Sequence, residues 1–180
     1  MGLTITSIST TLTIASGAGS TIRFIPVWLQ SAQTLNGVIW FQAATGSYTA
    51  NNTNAVGLYN YLQNGSASLV ASSSNDPNIW SGSYSAGNTF VTKSFTSTYA
   101  ASAGLYYIAL LASTSAVTTN PTIGAGTNLV ATNIGLRQLD FTNGTLSYGV
   151  RATVGSLPGS VAVGTYLNGL TQNIPYAAVY

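Results

Sequence analysis

Apolar and polar residues alternate with a period of two along much of this chain, the spacing of a strand that buries one face. The clearest run is Leu146-Ser147-Tyr148-Gly149-Val150-Arg151-Ala152-Thr153-Val154, where Leu146, Tyr148, Val150, Ala152 and Val154 share a face. It follows Asn143-Gly144, a strong two-residue hairpin signal, and an expected strand over Leu136–Phe141. Asn64-Gly65 plays the same part between Val56–Gln63 and Ala67–Ser72. Further strands are expected at Leu3–Ile14, Thr21–Gln30, Val38–Gln42, Thr89–Phe95, Gly104–Ser113, Val161–Leu167 and Ile174–Tyr180. Nowhere do apolar residues recur at three and four over three turns behind a cap, so no long helix is expected. About nine or ten short strands, separated by Gly, Asn, Ser and Pro clusters, imply an all-β fold: an antiparallel, jelly-roll-like β-sandwich.

The 180 residues suit one domain over 1–180. Ala43–Ala55 is the longest polar run and Ser72–Asn88 the next, and neither shifts composition enough to mark a linker. Loops of that length in a compact domain tend to carry function. No repeat of about 20–50 residues is apparent, which disfavours a solenoid or propeller.

Charge changes the picture most. Only 3% of residues are charged, against roughly 25% in an average chain. Arg23, Lys93, Arg137 and Arg151 face Asp76 and Asp140, with no Glu, His or Cys. Four scattered cations do not make the clustered basic face that binding a nucleic acid requires. Without Cys there is no disulfide, thiolate metal site or cysteine nucleophile. Without His there is no Ser-His-Asp triad. Two carboxylates far apart in sequence are a poor start for acid–base catalysis. We expect no enzyme and no cofactor.

No run approaches the about 20 apolar residues of a spanning helix, the best being Leu105–Ala112. The opening MGLTITSIST lacks the basic and apolar regions of a signal peptide. No membrane insertion is expected. Ser and Thr, about a quarter of the chain, hydrate the surface instead. Such a surface lacks like-charge repulsion, which suits a protein packed beside copies of itself.

One segment carries a family resemblance. Val56–Leu111 reads VGLYNYLQNGSASLVASSSNDPNIWSGSYSAGNTFVTKSFTSTYAASAGLYYIALL. It resembles a β-sandwich domain common in minor tail, baseplate and tail-fibre proteins of tailed-bacteriophage virions. There a "VGLY" strand and a turn precede "LVASS", a tryptophan loop, a Phe-rich strand, "AGLYYIALL" and a closing strand similar to Ile174–Tyr180. The resemblance covers roughly two-thirds of the chain, in scattered blocks that record packing and turns rather than chemistry. It implies a jelly-roll-like module displayed on a virion, often homotrimeric, beside other virion proteins and often touching the host surface. The chain departs from that pattern in showing no recognisable upstream anchoring segment. The Asn60–Gln63 strand end and the Ala43–Ala55 loop are also longer.

Candidate binding residues come from the two polar loops. Trp80 and Tyr84 in one, and Tyr48 in the other, could form a stacking platform for a neutral host-surface glycan, with Asn78 and Asp76 bonding its hydroxyls. The competing reading folds Trp80 back over the sandwich edge as packing. One carboxylate among Asn75, Asp76 and Asn78 does not indicate a Ca²⁺ site, and an Asx turn with Pro77 explains the same residues. Asn51-Asn52-Thr53, Asn64-Gly65-Ser66 and Asn143-Gly144-Thr145 read as turns rather than glycan acceptors. Trp28 and Trp40 are expected in the core. Tyr106 and Tyr107 must point to opposite faces of one strand, one to the core and one to the surface or a subunit interface. Three readings stand: a virion structural protein, a carbohydrate-binding module of a secreted or cell-surface protein, and a trimeric jelly-roll signalling head of complement- or tumour-necrosis-like kind.

Overall fold

The computed structural model describes residues 10–14, 19–62, 65–126, 149–152, 155–162 and 174–180. Among them there is no helix. The strand segments are β1 (Thr10–Thr13), β2 (Gly19–Leu29), β3 (Gln33–Ala44), β4 (Ser47–Ala50), β5 (Ala55–Tyr61), β6 (Ser66–Ser72), β7 (Thr89–Ala101), β8 (Gly104–Thr119), β9 (Thr122–Gly126), β10 (Gly149–Ala152), β11 (Ser160–Ala162), β12 (Ile174–Pro175) and β13 (Ala177–Val179). The expected strand Leu136–Phe141, the Asn143-Gly144 turn, Arg137 and Asp140 lie outside the described residues.

Two antiparallel sheets pack face to face as a β-sandwich. One runs β10-β2-β8-β5-β6-β11, with β4 also on β8. In the other, β3 pairs with β7 on one side and with β13 and β9 on the other, and β9 also carries β1 and β12. The hairpin read from Asn64-Gly65 is present: β5 pairs with β6 from Gly57↔Ser72 to Tyr61↔Ala67, and Gly65 takes the left-handed φ of +81° that such turns need. The polar run Ala43–Ala55 contains β4, which the sequence pattern does not reveal.

The core between the sheets gathers Ile25, Leu58, Ile108 and Leu110 from one sheet and Leu35, Val38, Trp40, Val91 and Ile123 from the other. A second apolar cluster lies on the opposite face of β2, β8 and β5, with Ile22, Phe24, Tyr59, Tyr107, Ala109 and Leu111 buried beside Val161. Strand β8 is therefore covered on both faces. Its continuous run Leu105-Tyr106-Tyr107-Ile108-Ala109-Leu110-Leu111 is the signature of such a strand. This corrects the expectation for the tyrosine pair: Tyr106 and Tyr107 do face opposite ways, but both are buried.

Trp28 corrects a second expectation, being 48% exposed. Alternation along β2 sends Ile25, Val27 and Leu29 to the inter-sheet core and turns Trp28 outward with Pro26. Among the described residues β10 pairs with β2 from Thr21 to Phe24, and Pro26 lies beyond that stretch.

Two buried amides repair breaks in the hydrogen-bond ladder. Between β4 and β5 the Asn54 side chain acts like a peptide group: its Oδ1 accepts from Ser113 N at 2.8 Å and its Nδ2 donates to Ser113 O at 3.1 Å. At the β3 register shift, Gln42 accepts from Trp40 Nε1 at 2.9 Å and donates to Ala44 O and Thr122 O. Each supplies hydrogen bonds to backbone groups where the regular ladder is interrupted.

Candidate functional site

The segment after β6 crosses from one sheet to the other before β7 begins, closing the side of the sandwich. Its path is set by successive turns. Asp76 Oδ1 accepts from Asn78 N at 3.1 Å, the Asx turn expected around Pro77. Ile79 N then donates to Asp76 O, Ser81 N to Asn78 O and Tyr84 N to Ser81 O. This winding turns Ile79 and Trp80 inward between the sheets, where both are buried.

The two polar loops meet. Gly46 bridges to Ser81 and donates its N–H to Trp80 O at 2.8 Å. The Tyr48 hydroxyl donates to Pro77 O at 3.0 Å and accepts from Trp80 N at 3.2 Å. Asp76 N donates to Asn54 O, and Asn54 N to Asn75 Oδ1. All five candidate residues thus converge, which spacing alone could not show.

Their chemistry, however, is turned toward one another. Trp80 is 0% exposed, its ring 5.2 Å from that of Trp40 and its Nε1 donating to Leu111 O at 3.1 Å. It offers no face to a ligand and takes the packing role instead. Tyr84, half-buried, stacks on Trp40 at 6.4 Å and donates its hydroxyl to Thr92 O at 2.7 Å. Lys93 lies over the Tyr84 ring, 5.4 Å from its centroid, and pairs with Asp76 Oδ2 at 2.6 Å. Both Asp76 oxygens are therefore engaged. Burial pushes the Tyr48 phenol up to about 12; the bond from Trp80 N pulls it back and the Asp76 carboxylate adds to the rise. Burial, then Asp76, raises Tyr84 as well. Asn78 stays exposed beside the cluster.

One feature escaped the sequence reading. An open groove of about 430 Å³ runs along the start of β7, lined by Tyr84, Ser85, Thr89, Phe90 and Thr92 among others. Phe90 is 65% exposed, and its ring meets that of Phe41 edge to face at 5.2 Å and 75°. The signal was present in Phe90-Val91 opposite Trp40-Phe41: adjacent strand residues point to opposite faces, so burying Trp40 and Val91 leaves both phenylalanines outside.

No protein-family model, curated protein or solved structure matches the chain.

Proposed function

We propose that the chain is a non-enzymatic structural protein of a virion, a phage fibre, tail-tip or capsid-decoration domain, assembling as a homotrimer beside other virion proteins and taking part in host-surface recognition. One observation carries this reading. The blocks that resemble phage sandwich proteins form a single packing unit: VGLY supplies Leu58 in β5, the loop supplies Trp80, β7 supplies Phe95 and AGLYYIALL supplies Tyr106, Ile108 and Leu110, all in one inter-sheet core. The closing IPYAAVY block joins it, with Ala177 and Val179 packed on that core from β13. Blocks scattered in sequence but joined in packing are what a shared module would keep.

The non-enzymatic part is supported by Asp76, the one side-chain carboxylate among the described residues, which is held in an Asx turn and in an ion pair with Lys93. A carbohydrate-binding module built on Trp80, Tyr84 and Tyr48 loses its platform through the burial of Trp80.

The test is particle composition. Antibody fragments raised against the chain should label intact particles at repeated positions in negative-stain micrographs, and the chain should co-purify with particles in fixed stoichiometry. Purified particles devoid of the chain by mass spectrometry would refute the assignment.

A further inference from the structure

We propose that the groove beside Phe90 binds a neutral carbohydrate, the sugar's CH face lying on the Phe90 ring and its hydroxyls meeting Ser85, Thr89 and Thr92. The proposal deepens the surface-recognition role above and rests on it only for where such a sugar is met. The groove holds about 430 Å³ and is open to solvent, so a sugar would lie across it with one face on the protein.

Its lining limits the ligand's chemistry. Among the described residues no cation or carboxylate lines it, so a charged ligand would lose hydration without gaining a partner there. The Ser85 and Thr92 hydroxyls can each donate and accept, and Thr89, whose hydroxyl donates to Phe90 O at 3.5 Å, can accept, which matches the hydroxyls of a sugar. Phe90 and Thr92 stand two apart in β7 and so share the outward face, while Ser85 arrives from the loop. The result is an apolar ring flanked by hydroxyls on two elements.

The groove is also built in advance. Gly87 and Asn88 take left-handed φ values of 76° and 48°, which Gly and Asn adopt most readily. Asn88 N donates to Ala43 O at 3.1 Å, pinning the loop to the end of β3, and the Tyr84–Thr92 bond ties its other end to β7. Phe41 braces the Phe90 ring from the side. Ordering costs that weaken a mobile site are thus already met in the fold.

The experiment is saturation-transfer NMR with methyl glycosides of glucose, galactose, mannose and N-acetylglucosamine, run beside sedimentation velocity on wild type, Phe90→Ser and Phe90→Tyr. At least one glycoside should receive saturation at its ring CH protons. Phe90→Ser should weaken its apparent affinity about tenfold, on the scale of one aromatic contact, and Phe90→Tyr should retain it. Because Phe90 is exposed, both variants should keep the wild-type circular dichroism. Saturation of none of the glycosides, or equal binding by Phe90→Ser, overturns the proposal. So does an oligomer that Phe90→Ser dissociates while no glycoside binds, which would assign the ring to contact between copies. None of these outcomes touches the virion assignment, which is read from particle composition.

Discussion

Replacing Trp80 by alanine separates a packing tryptophan from a ligand platform. The indole is wholly buried between the sheets, against Trp40. Truncating a buried Trp to Ala typically costs about 3–5 kcal/mol, the transfer of the ring plus the cavity left behind. The Leu111 carbonyl also loses its indole donor, adding about 1 kcal/mol. A total of about 4 kcal/mol or more is expected from a fold whose whole stability is ~5–15 kcal/mol. For a chain of this size each kcal/mol moves the melting point by about 2–4 °C, so the shift should be about 8–16 °C. Trp80→Phe keeps a ring against Trp40 and loses the N–H, and should fall between alanine and wild type at about 1–3 kcal/mol. Urea unfolding followed by far-ultraviolet circular dichroism measures both. A Trp80→Ala protein within about 1 kcal/mol of wild type would refute the reasoning, since no solvent-facing indole could then be distinguished from this one.

Three further outcomes are expected. Asn54→Leu should cost about 2–4 kcal/mol in the same urea assay, because Ser113 N is left buried without an acceptor while Ser113 O keeps its bond from Asn51 N. Tyr107→Phe should leave stability unchanged or raise it by up to about 2 kcal/mol, because the buried phenol oxygen has no hydrogen-bond partner among the described residues; a clear loss would reveal one. Melting points should be nearly flat between about pH 5 and 9, where no His or Cys exists to titrate, and fall above about pH 10. The sign follows from Tyr48: an unfolded tyrosine ionises near 10 and the folded one at about 12, so in that window the unfolded chain binds fewer protons and gains on the folded state. Tyr48→Phe should make the alkaline fall shallower, and an unchanged slope would count against the assignment.

Much of the strand content was legible because period-two alternation and Asn-Gly turns act locally. The β5–β6 hairpin appears where Asn64-Gly65 places it, and Leu105–Leu111 is a strand as its residues imply, although its coverage on both faces was not foreseen. What escaped was decided by partners distant in sequence. The polar segment Ser47–Ala50 is a strand only because β8 extends far enough to pair with it. β7 runs on to Ala101 for the same kind of reason: past an irregularity after Ser94 it pairs with β3 again, from Tyr99 to Ala101. Trp28 and Trp40 both sit in apolar runs, yet one is exposed and the other buried, because a strand's two faces become unequal only once a sheet covers one of them. The candidate site divides likewise. Local sequence alone determined that Asp76-Pro77-Asn78 turns and that the chain, nearly without charge, is rich in hydroxyls, amides and aromatic rings. Only the tertiary structure decided which rings remain available. Closing the sandwich drew Trp80 into the gap between two sheets, where burial outweighs exposure for an indole, and turned Phe90 outward because its neighbour Val91 was needed inside.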